Sequence, residues 1–274
     1  MRIVKEFKID KNFEITGIYT VFKQRFDSNY FFDGETHDFW ELVCVLDGEV
    51  GITAGKYVYS LKDGECFLHR PMEFHRIWAE NGTSPEIAIF TFSGKNAVKS
   101  EYGIYSLGGA LSERVKRLIQ KSDMIFEKQK VGEIVSIKEN CEFEADIFIN
   151  ELENLMLRIF AMGDTKKNVI GFGSAEKYTA AIRIMEENID KRLDAEAIAN
   201  LCGTSLPNLK KIFKKYSGGG VMEYFGNMKI NTAKQFLREG KSVKETSYML
   251  GFYDQNYFNV FFKRHTGISP GKYR

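Results

Sequence analysis

The stretch KSVKETSYMLGFYDQNYFNVFFKRHTGISPGKYR, residues 241–274, decides how at least one end of this chain folds. Ser242 is placed to cap a first helix, and Glu245 three residues on completes a capping box. Val243, Thr246, Met249 and Leu250 follow at helical spacing and are expected on one buried face. Gly251 supplies the positive φ that stops this helix and turns the chain. Asp254 then caps a second helix, with Tyr257, Phe258, Phe261 and Phe262 as its expected buried stripe. Helix, glycine turn, helix is the unit that lays its second helix in a DNA major groove. Gln255, Asn256, Asn259 and Lys263 would then face outward. Amides suit adenine edges, and lysine suits guanine or phosphate.

A similar unit precedes it. Residues 175–188 are expected to form a helix with Tyr178, Ile182 and Met185 on one stripe. Asp194 caps residues 195–201, Gly203 turns the chain, and Ser205 caps a further helix with Pro207 in its first turn. Leu206, Leu209, Ile212 and Phe213 are expected inside, with Asn208, Lys210, Lys211, Lys214 and Lys215 outside. A lysine-rich helix face is ordinarily just solvated. Behind a capped helix-turn-helix, and ahead of a second one, it becomes a DNA-binding face. The lysines would position the protein on phosphates, while Asn208, Lys211, Gln255, Asn256 and Asn259 would read bases. Residues 221–238 form the connecting helix, packing Tyr224, Met228, Ile230, Ala233 and Leu237 against both neighbours.

The C-terminal segment closely resembles the signature of the AraC/XylS family of bacterial transcription regulators. The matching residues are Gly251-Phe252, Asp254, Tyr257-Phe258, Phe262-Lys263, Gly267, Ser269-Pro270 and Tyr273-Arg274. The resemblance implies a DNA-binding domain in which the connecting helix holds both recognition helices on one face of the duplex. They would enter successive major-groove segments about 34 Å apart. Two positions depart from the family pattern: Val260 and Lys229 stand where the family commonly has arginine.

Charge is divided unevenly along the chain. From Ser174 onward there are 17 Lys+Arg against 10 Asp+Glu, which is +7; the remainder has 39 − 17 = 22 against 37 − 10 = 27, which is −5. An acidic front and a basic back fit a protein that touches nucleic acid at one end. Cys44, Cys66, Cys141 and Cys202 are far apart and make no CxxC pair, which argues against a zinc ribbon or a secreted disulfide scaffold. The opening MRIVKEFKID carries charges too early for a signal peptide, and no run is long and apolar enough to span a bilayer. The expected setting is the reducing cytoplasm, with no membrane partner.

Residues 1–108 carry a β pattern. Runs at 15–26, 41–46, 49–53, 57–61 and 86–92 are rich in β-branched and aromatic residues, and Asp47-Gly48 and Asp63-Gly64 are turn signals between them. Short strands at regular spacing predict a sandwich or barrel, and the runs flanking Asp47-Gly48 are expected to form one hairpin. Glu35, His37 and Glu41 followed by Gly48, then Gly64 through Pro71 to His75, resemble the two halves of a cupin motif. That resemblance implies a small barrel with a pocket at one mouth, used in many such regulators as the effector sensor. Glu35 stands where the cupin family has its first histidine. The cluster is therefore read as a polar effector pocket, with no metal and no cofactor assigned. Metal-binding cupins use ligands of the same kind, and that alternative stays open. Phe31, Phe32, Phe39, Trp40, Phe67, Phe74 and Trp78 surround this segment. Flat rings beside a few polar groups suit a sugar, although any single ring is more often core. Arg70 and Arg76 flank the motif and suit a carboxylate or phosphate, or serve as solvated strand ends. The expected effector-binding set is Glu35, His37, Trp40, Glu41, Arg70, His75 and Trp78.

From Ser112 a helical period carries Val115, Leu118, Ile119, Ser122 and Ile125-Phe126; the charged stretch 127–139 marks a break. Residues 143–162 form a long helix striped with Ile147, Ile149, Leu152, Leu155, Met156, Ile159 and Phe160, a surface for a homodimer or for packing on the barrel. The chain thus divides into a cupin-like effector and dimerisation domain (1–165), a linker (166–174) and an all-α DNA-binding domain (175–274) with two helix-turn-helix units. The expected function is a non-enzymatic transcription regulator that binds double-stranded promoter DNA, responds to a small molecule such as a sugar and contacts RNA polymerase. By family analogy it activates carbohydrate-utilisation genes. A metal cupin enzyme with a DNA-binding appendage and a ligand-independent repressor are the competing classes.

Overall fold

The computed structural model describes residues 7–8, 10–95, 103–162 and 173–273. The chain parts into two compact units, with the boundary between residues 169 and 170. Residues 166–172 of the expected linker lie outside the described residues, and Gly173 and Ser174 already belong to a helix.

The first unit opens with eight strands: β1 (Glu14–Arg25), β2 (Trp40–Asp47), β3 (Glu49–Ala54), β4 (Tyr57–Lys62), β5 (Glu65–His69), β6 (His75–Ala79), β7 (Glu86–Lys95) and β8 (Tyr105–Ser106). They form a five-stranded sheet ordered β1-β7-β2-β5-β8 and a three-stranded sheet ordered β4-β3-β6. This double-sheet arrangement is the barrel-like architecture expected from the sequence. The hairpin expected at Asp47-Gly48 is not formed. β2 pairs antiparallel with β5 and β7, while β3 pairs with β6 in the other sheet. Asp63-Gly64 likewise carries the chain from β4 in one sheet to β5 in the other. The two turns lie side by side, with the Asp63 N–H donating to Gly48 O and the Gly64 N–H to Val45 O, both at 3.0 Å. Gly48 and Gly64 do take the positive φ their sequence implies (77° and 75°), but that conformation suits a sheet-to-sheet corner as well as a hairpin.

Helices α1 (Gly108–Ile125) and α2 (Glu142–Met162) cover one face of the five-stranded sheet. Leu42, Cys44, Leu68, Phe90 and Phe92 from the strands meet Val115 and Leu118 of α1, and Phe148, Leu152 and Met156 of α2. Each such side chain contributes about 1.5–3 kcal/mol by leaving water. Within α2 the stripe is rotated slightly from expectation: Phe148 is buried, and Ile147 is exposed. The charged stretch after α1 is a short hairpin, β9 (Phe126–Lys128) with β10 (Ile134–Ile137).

The second unit is all helical: α3 (Gly173–Glu187), α4 (Ala195–Leu201), α5 (Leu206–Ser217), α6 (Val221–Arg238), α7 (Val243–Met249), α8 (Gln255–Thr266) and α9 (Pro270–Tyr273). The side chains of Asp194, Ser205, Ser242 and Asp254 all cap helices as expected, and Glu245 closes the capping box on Ser242 at 2.8 Å. Tyr178, Phe213, Tyr216 and Tyr224 form the aromatic centre of the α3–α5 unit. Ile230, Leu237, Leu250, Phe258 and Phe262 form the core under α7 and α8.

Two expected core positions lie outside. Met249 is 43% exposed and Tyr257 is 52% exposed, while Ser247 is buried in α7. At 100° per residue Ser247 falls about 40° beyond one edge of the arc set by Val243, Thr246 and Leu250, and Met249 about 60° beyond the other, so the two positions differ little in phase. Hydrophobicity alone had favoured the methionine.

Candidate nucleic-acid interface and effector pocket

α5 presents Asn208, Lys210, Lys211, Lys214 and Lys215 to solvent, with no acidic residue among its twelve. Ser205 spends its hydroxyl on the helix, accepting from the Asn208 backbone N–H at 3.4 Å. The Asn208 side-chain amide donates to Thr204 Oγ1 at 2.8 Å. Lys214 Nζ donates to Gly218 O at 3.0 Å, so this expected phosphate contact also terminates its own helix. Lys210 and Lys211 are exposed along the same helix.

α8 presents a different surface. Asn256 and Lys263 are exposed as expected, but Gln255 and Asn259 are half-buried at the flanks of the outward face. Val260 sits at its centre, 68% exposed, with Arg264 and Tyr257 beside it. Sequence reasoning noted Val260 only as a missing arginine; its placement gives the helix an apolar tip of the kind that packs on thymine methyl groups.

Lys229 of α6 is a further residue the sequence did not single out as functional. Only 9% exposed, it donates to three backbone carbonyls: Ile189 O (2.8 Å) and Lys191 O (3.0 Å) before α4, and Leu250 O (2.7 Å) at the end of α7. One ammonium thus ties the entry to the first helix-turn-helix to the turn of the second. Burial lowers its pKa from 10.5 to about 8; Asp190 opposes that shift, and Arg192 adds to it. Gly251 completes this junction: it takes φ of 72°, and a Cβ there would overlap Asp190 O.

In the first unit the structure brings together Glu35, His37, Glu41 and His75. His37 Nε2 lies 3.5 Å from Glu41 Oε2, and His75 Nε2 lies 3.6 Å from Glu41 Oε1 and 3.8 Å from Glu35 Oε1. Burial acts to raise the Glu41 pKa, but His37, His75 and His69 outweigh it and hold the carboxyl below its ordinary value. Burial works against the His75 imidazolium, yet Glu35 and Glu41 hold its pKa above the ordinary value. His69 and Glu73, which the sequence reading omitted, extend the cluster. His69 pairs with Glu41 across β2 and β5, its ring stacks on His75 at 4.4 Å, and its Nδ1 lies 3.4 Å from Glu73 Oε2. Burial pushes the His69 pKa down, with Glu73 opposing.

Two expected members are not in this group. Trp40 precedes Glu41 on β2 and so points to the opposite face, where it packs against the core shared with α1 and α2. Trp78 lies three residues beyond His75 on β6, also with opposite parity, and its ring covers Gly51 on the far side of the three-stranded sheet. Arg76 shares that far side, fully buried, with its guanidinium 3.9 Å from the Phe31 ring. Arg70 is half-buried in the turn between β5 and β6, its N–H 3.4 Å from the Glu73 carboxylate.

A capped helix pair with an exposed polar second helix, repeated around a connecting helix and joined in sequence to a barrel with a polar cluster, defines a ligand-responsive DNA-binding regulator. Residues 19–101 match the AraC-like ligand binding domain, and residues 198–274 match a helix-turn-helix domain. The chain belongs to the AraC family of transcription regulators. Among curated proteins, it is 25% identical to the HTH-type transcriptional activator RhaS of Mannheimia succiniciproducens over 248 residues, 89% of each chain. It is 28% identical to the bifunctional transcriptional activator/DNA repair enzyme AdaA of Bacillus subtilis over 91 residues, 33% of this chain and 43% of that protein. The chain therefore spans less than half the length of that relative. A solved AraC-type regulator from Chromobacterium violaceum is 32% identical over 37% of this chain and 92% of its own, with a TM-score of 0.35. Among the described residues no helix is long and apolar enough to cross a membrane.

Proposed function

We propose that this protein is a cytoplasmic transcription activator whose promoter affinity is set by a small polar molecule held at the mouth of the barrel. The carrying observation is the pair of capped recognition helices, α5 and α8, with their outward polar faces. Asn208, Lys210, Lys211, Lys214, Asn256 and Lys263 make the DNA-facing set, with Gln255 and Asn259 at its edge and Ser205 fixing the start of α5. The effector contacts Glu35, His37, Glu41 and His75, with Arg70 at the rim. A hydroxylated molecule such as a sugar suits this set, its hydroxyls donating to the carboxylates and accepting from an imidazole N–H. It would meet no stacking platform from Trp40 or Trp78, which face away. Activation implies contact with RNA polymerase, in keeping with the activator relatives. A homodimer is supported by the apolar side chains exposed along α2, Phe143 (82%), Ile147 and Leu157.

Selection of bound sequences from a random duplex pool, using the full chain, tests the DNA reading. The expected outcome is enrichment of two short elements spaced about one helical turn, roughly 34 Å, per protomer. A pool that stays random after repeated rounds rules out sequence-specific binding. Repeating the binding assay with candidate sugars then tests the effector class: promoter affinity indifferent to all of them removes sugars.

A further inference from the structure

We infer that the groove between α1 and α2, on the solvent side of the helices that cover the five-stranded sheet, is a second ligand site and binds a small phosphate ester. The binding does not rest on the regulator reading above. α1 contributes Arg114, Arg117 and Lys121 to the groove. At 100° per residue these three fall within about 60° of one another and make one stripe. α2 supplies the facing wall with Ile147, Asn150, Glu151 and Asn154, and Arg158 follows Asn154 by one turn. The space between the walls is about 480 Å³, the size of a small-molecule pocket.

What marks this groove is positive charge without a counter-charge. The chain up to residue 173 holds 22 basic against 27 acidic residues, so carboxylates are in excess there. Yet Glu151 is taken by Lys121, and Glu113 by Lys116 at 2.9 Å. Among the described residues no carboxylate forms an ion pair with Arg114, Arg117 or Arg158. The Arg114 Nη1–H and the Arg158 Nε–H instead donate to one neutral oxygen, Asn154 Oδ1, the second at 2.9 Å. Two like charges drawn onto one amide repel each other, and the amide answers them with only a partial charge. Arg117 reaches no further than Glu113 O, at 3.4 Å. Each guanidinium has five N–H donors in a planar fork, and each uses one of them here.

A phosphate monoester answers all three arginines. It carries a charge of about −2 and three terminal oxygens, and paired N–H bonds from a guanidinium match it in geometry. A carboxylate, with one charge and two oxygens, would leave an arginine unanswered. With the phosphate drawn in between Arg114 and Arg158, the body of the ester runs along the groove towards Lys121, about 10 Å further along α1. It would pass Ile147, 54% exposed, and Asn150, whose Nδ2 donates to Asp146 O at 2.9 Å while its Oδ1 faces a ligand hydroxyl. The bound anion would bridge α1 to α2 over the core that they share with Leu42, Cys44 and Trp40 of β2. Glu41 lies between these residues on the same strand, with its side chain on the opposite face.

The test is isothermal titration of the full chain, without DNA, with inorganic phosphate, glucose 6-phosphate, adenosine 5′-monophosphate and unphosphorylated glucose. We expect one equivalent of at least one ester to bind, at least roughly tenfold tighter than inorganic phosphate, and glucose not to displace it. Which ester binds separates a sugar phosphate from a nucleotide. Arg114→Gln and Arg158→Gln should each weaken ester binding by at least roughly tenfold, and Arg114→Lys, which keeps the charge without the fork, should recover only part of the loss. Lys62→Gln, an exposed cation on β4, should leave it near wild type. Circular dichroism and tryptophan fluorescence check that each variant folds; where one does not, Arg117→Gln decides. The site is overturned by esters that do not bind, by ester binding that every arginine substitution leaves unchanged, or by binding that is lost on Lys211→Ala of α5 instead. Because no DNA is present, the result stands apart from the regulator reading: a chain that selects no promoter sequence can still bind the ester, and one that binds no ester can still select.

Discussion

The two helices α5 and α8 have the same length, twelve residues, and each starts on a side-chain cap, Ser205 or Asp254, yet their open faces carry different chemistry. α5 carries four lysines and a single amide on its open faces. α8 carries Asn256 and Val260 along the open face, with Lys263 and Arg264 held back to its last turn. Lysines are mobile point charges that neutralise phosphates whatever the sequence. An amide and a valine tip offer directional hydrogen bonds and a methyl-sized contact, which depend on the base. On the proposed reading, α5 supplies affinity and α8 supplies discrimination, with Lys229 and Gly251 tying the entry to the first helix-turn-helix to the turn of the second.

The largest expected effect follows from breaking that junction. Gly251→Ala forces a positive φ on an alanine and drives its Cβ into Asp190 O. A strained φ and a backbone overlap together cost about 3 kcal/mol or more. The α7–α8 unit should lose its placement while α5 stays folded. DNA selection with this variant is expected to recover at most the α5 element, with non-specific binding retained. Recovery of both elements would mean the turn relaxes and the junction is not what holds α8.

A second substitution acts on the same junction from α6. Lys229→Met removes a donor shared by three backbone carbonyls and should cost about 3 kcal/mol at pH 7. The pH dependence has a definite sign. Between about pH 8 and 10.5 the unfolded chain keeps a proton that folded Lys229 has released, so the wild type gains stability as pH rises through that window. The gap between wild type and K229M should widen by about 1 kcal/mol from pH 7 to pH 9. Both tryptophans lie in the first unit, so urea unfolding should be followed by the helical circular dichroism signal. A gap that narrows over this range would show that Lys229 is not depressed in the folded state.

How much of this was legible beforehand depended on how local each feature is. The caps at Asp194, Ser205, Ser242 and Asp254 are set by three or four consecutive residues, and each was placed correctly. The two helix-turn-helix units followed from them, and the AraC family from the resemblance of the signature residues between Gly251 and Arg274. Features that depend on pairing were not visible: the corner at Asp47-Gly48 and the approach of His69 to Glu41 need the register of β2 against β5. Trp40 is the instructive case. Glu41 and Trp40 are neighbours on one strand, so strand alternation alone forbids them a common pocket, and the aromatic attraction of Trp40 as a sugar platform overrode it. The convergence of Glu35, His37, Glu41 and His75 was legible through the motif they resemble, whereas the approach of His69 and Glu73 to them was not.

Within α8, Asn256→Ala sharpens the division of labour. Loss of an amide–base pair is expected to cost about 1–3 kcal/mol at one position of the operator and little on unrelated DNA. Fluorescence anisotropy with operator variants reads this directly. Equal losses on every sequence would move Asn256 to the phosphate set and leave α8 with no demonstrated reader.

The smallest effect lies in α5, and it distinguishes two lysines one turn apart. Each phosphate neutralised contributes about 0.9 to the slope of log affinity against log salt. Lys211 was expected from the sequence to read a base. If it lies on a phosphate like its neighbouring lysines, Lys211→Ala should lower that slope by about this amount and weaken operator and non-specific DNA alike, whereas a loss confined to the operator would return it to the base-reading set. Lys214 begins from a different position, with its ammonium on Gly218 O at 3.0 Å, where it satisfies a carbonyl at the end of the helix. Reaching a phosphate means giving up that contact, so the slope should fall less on Lys214→Ala than on Lys211→Ala, while thermal stability falls by a few tenths of a kcal/mol. Equal slope changes would place both ammoniums on the DNA backbone and make the α5 face more uniformly electrostatic than its free geometry indicates. A slope untouched by either would shift the burden of affinity to Lys263 and Arg264 of α8, and the contrast between the two helices would be lost.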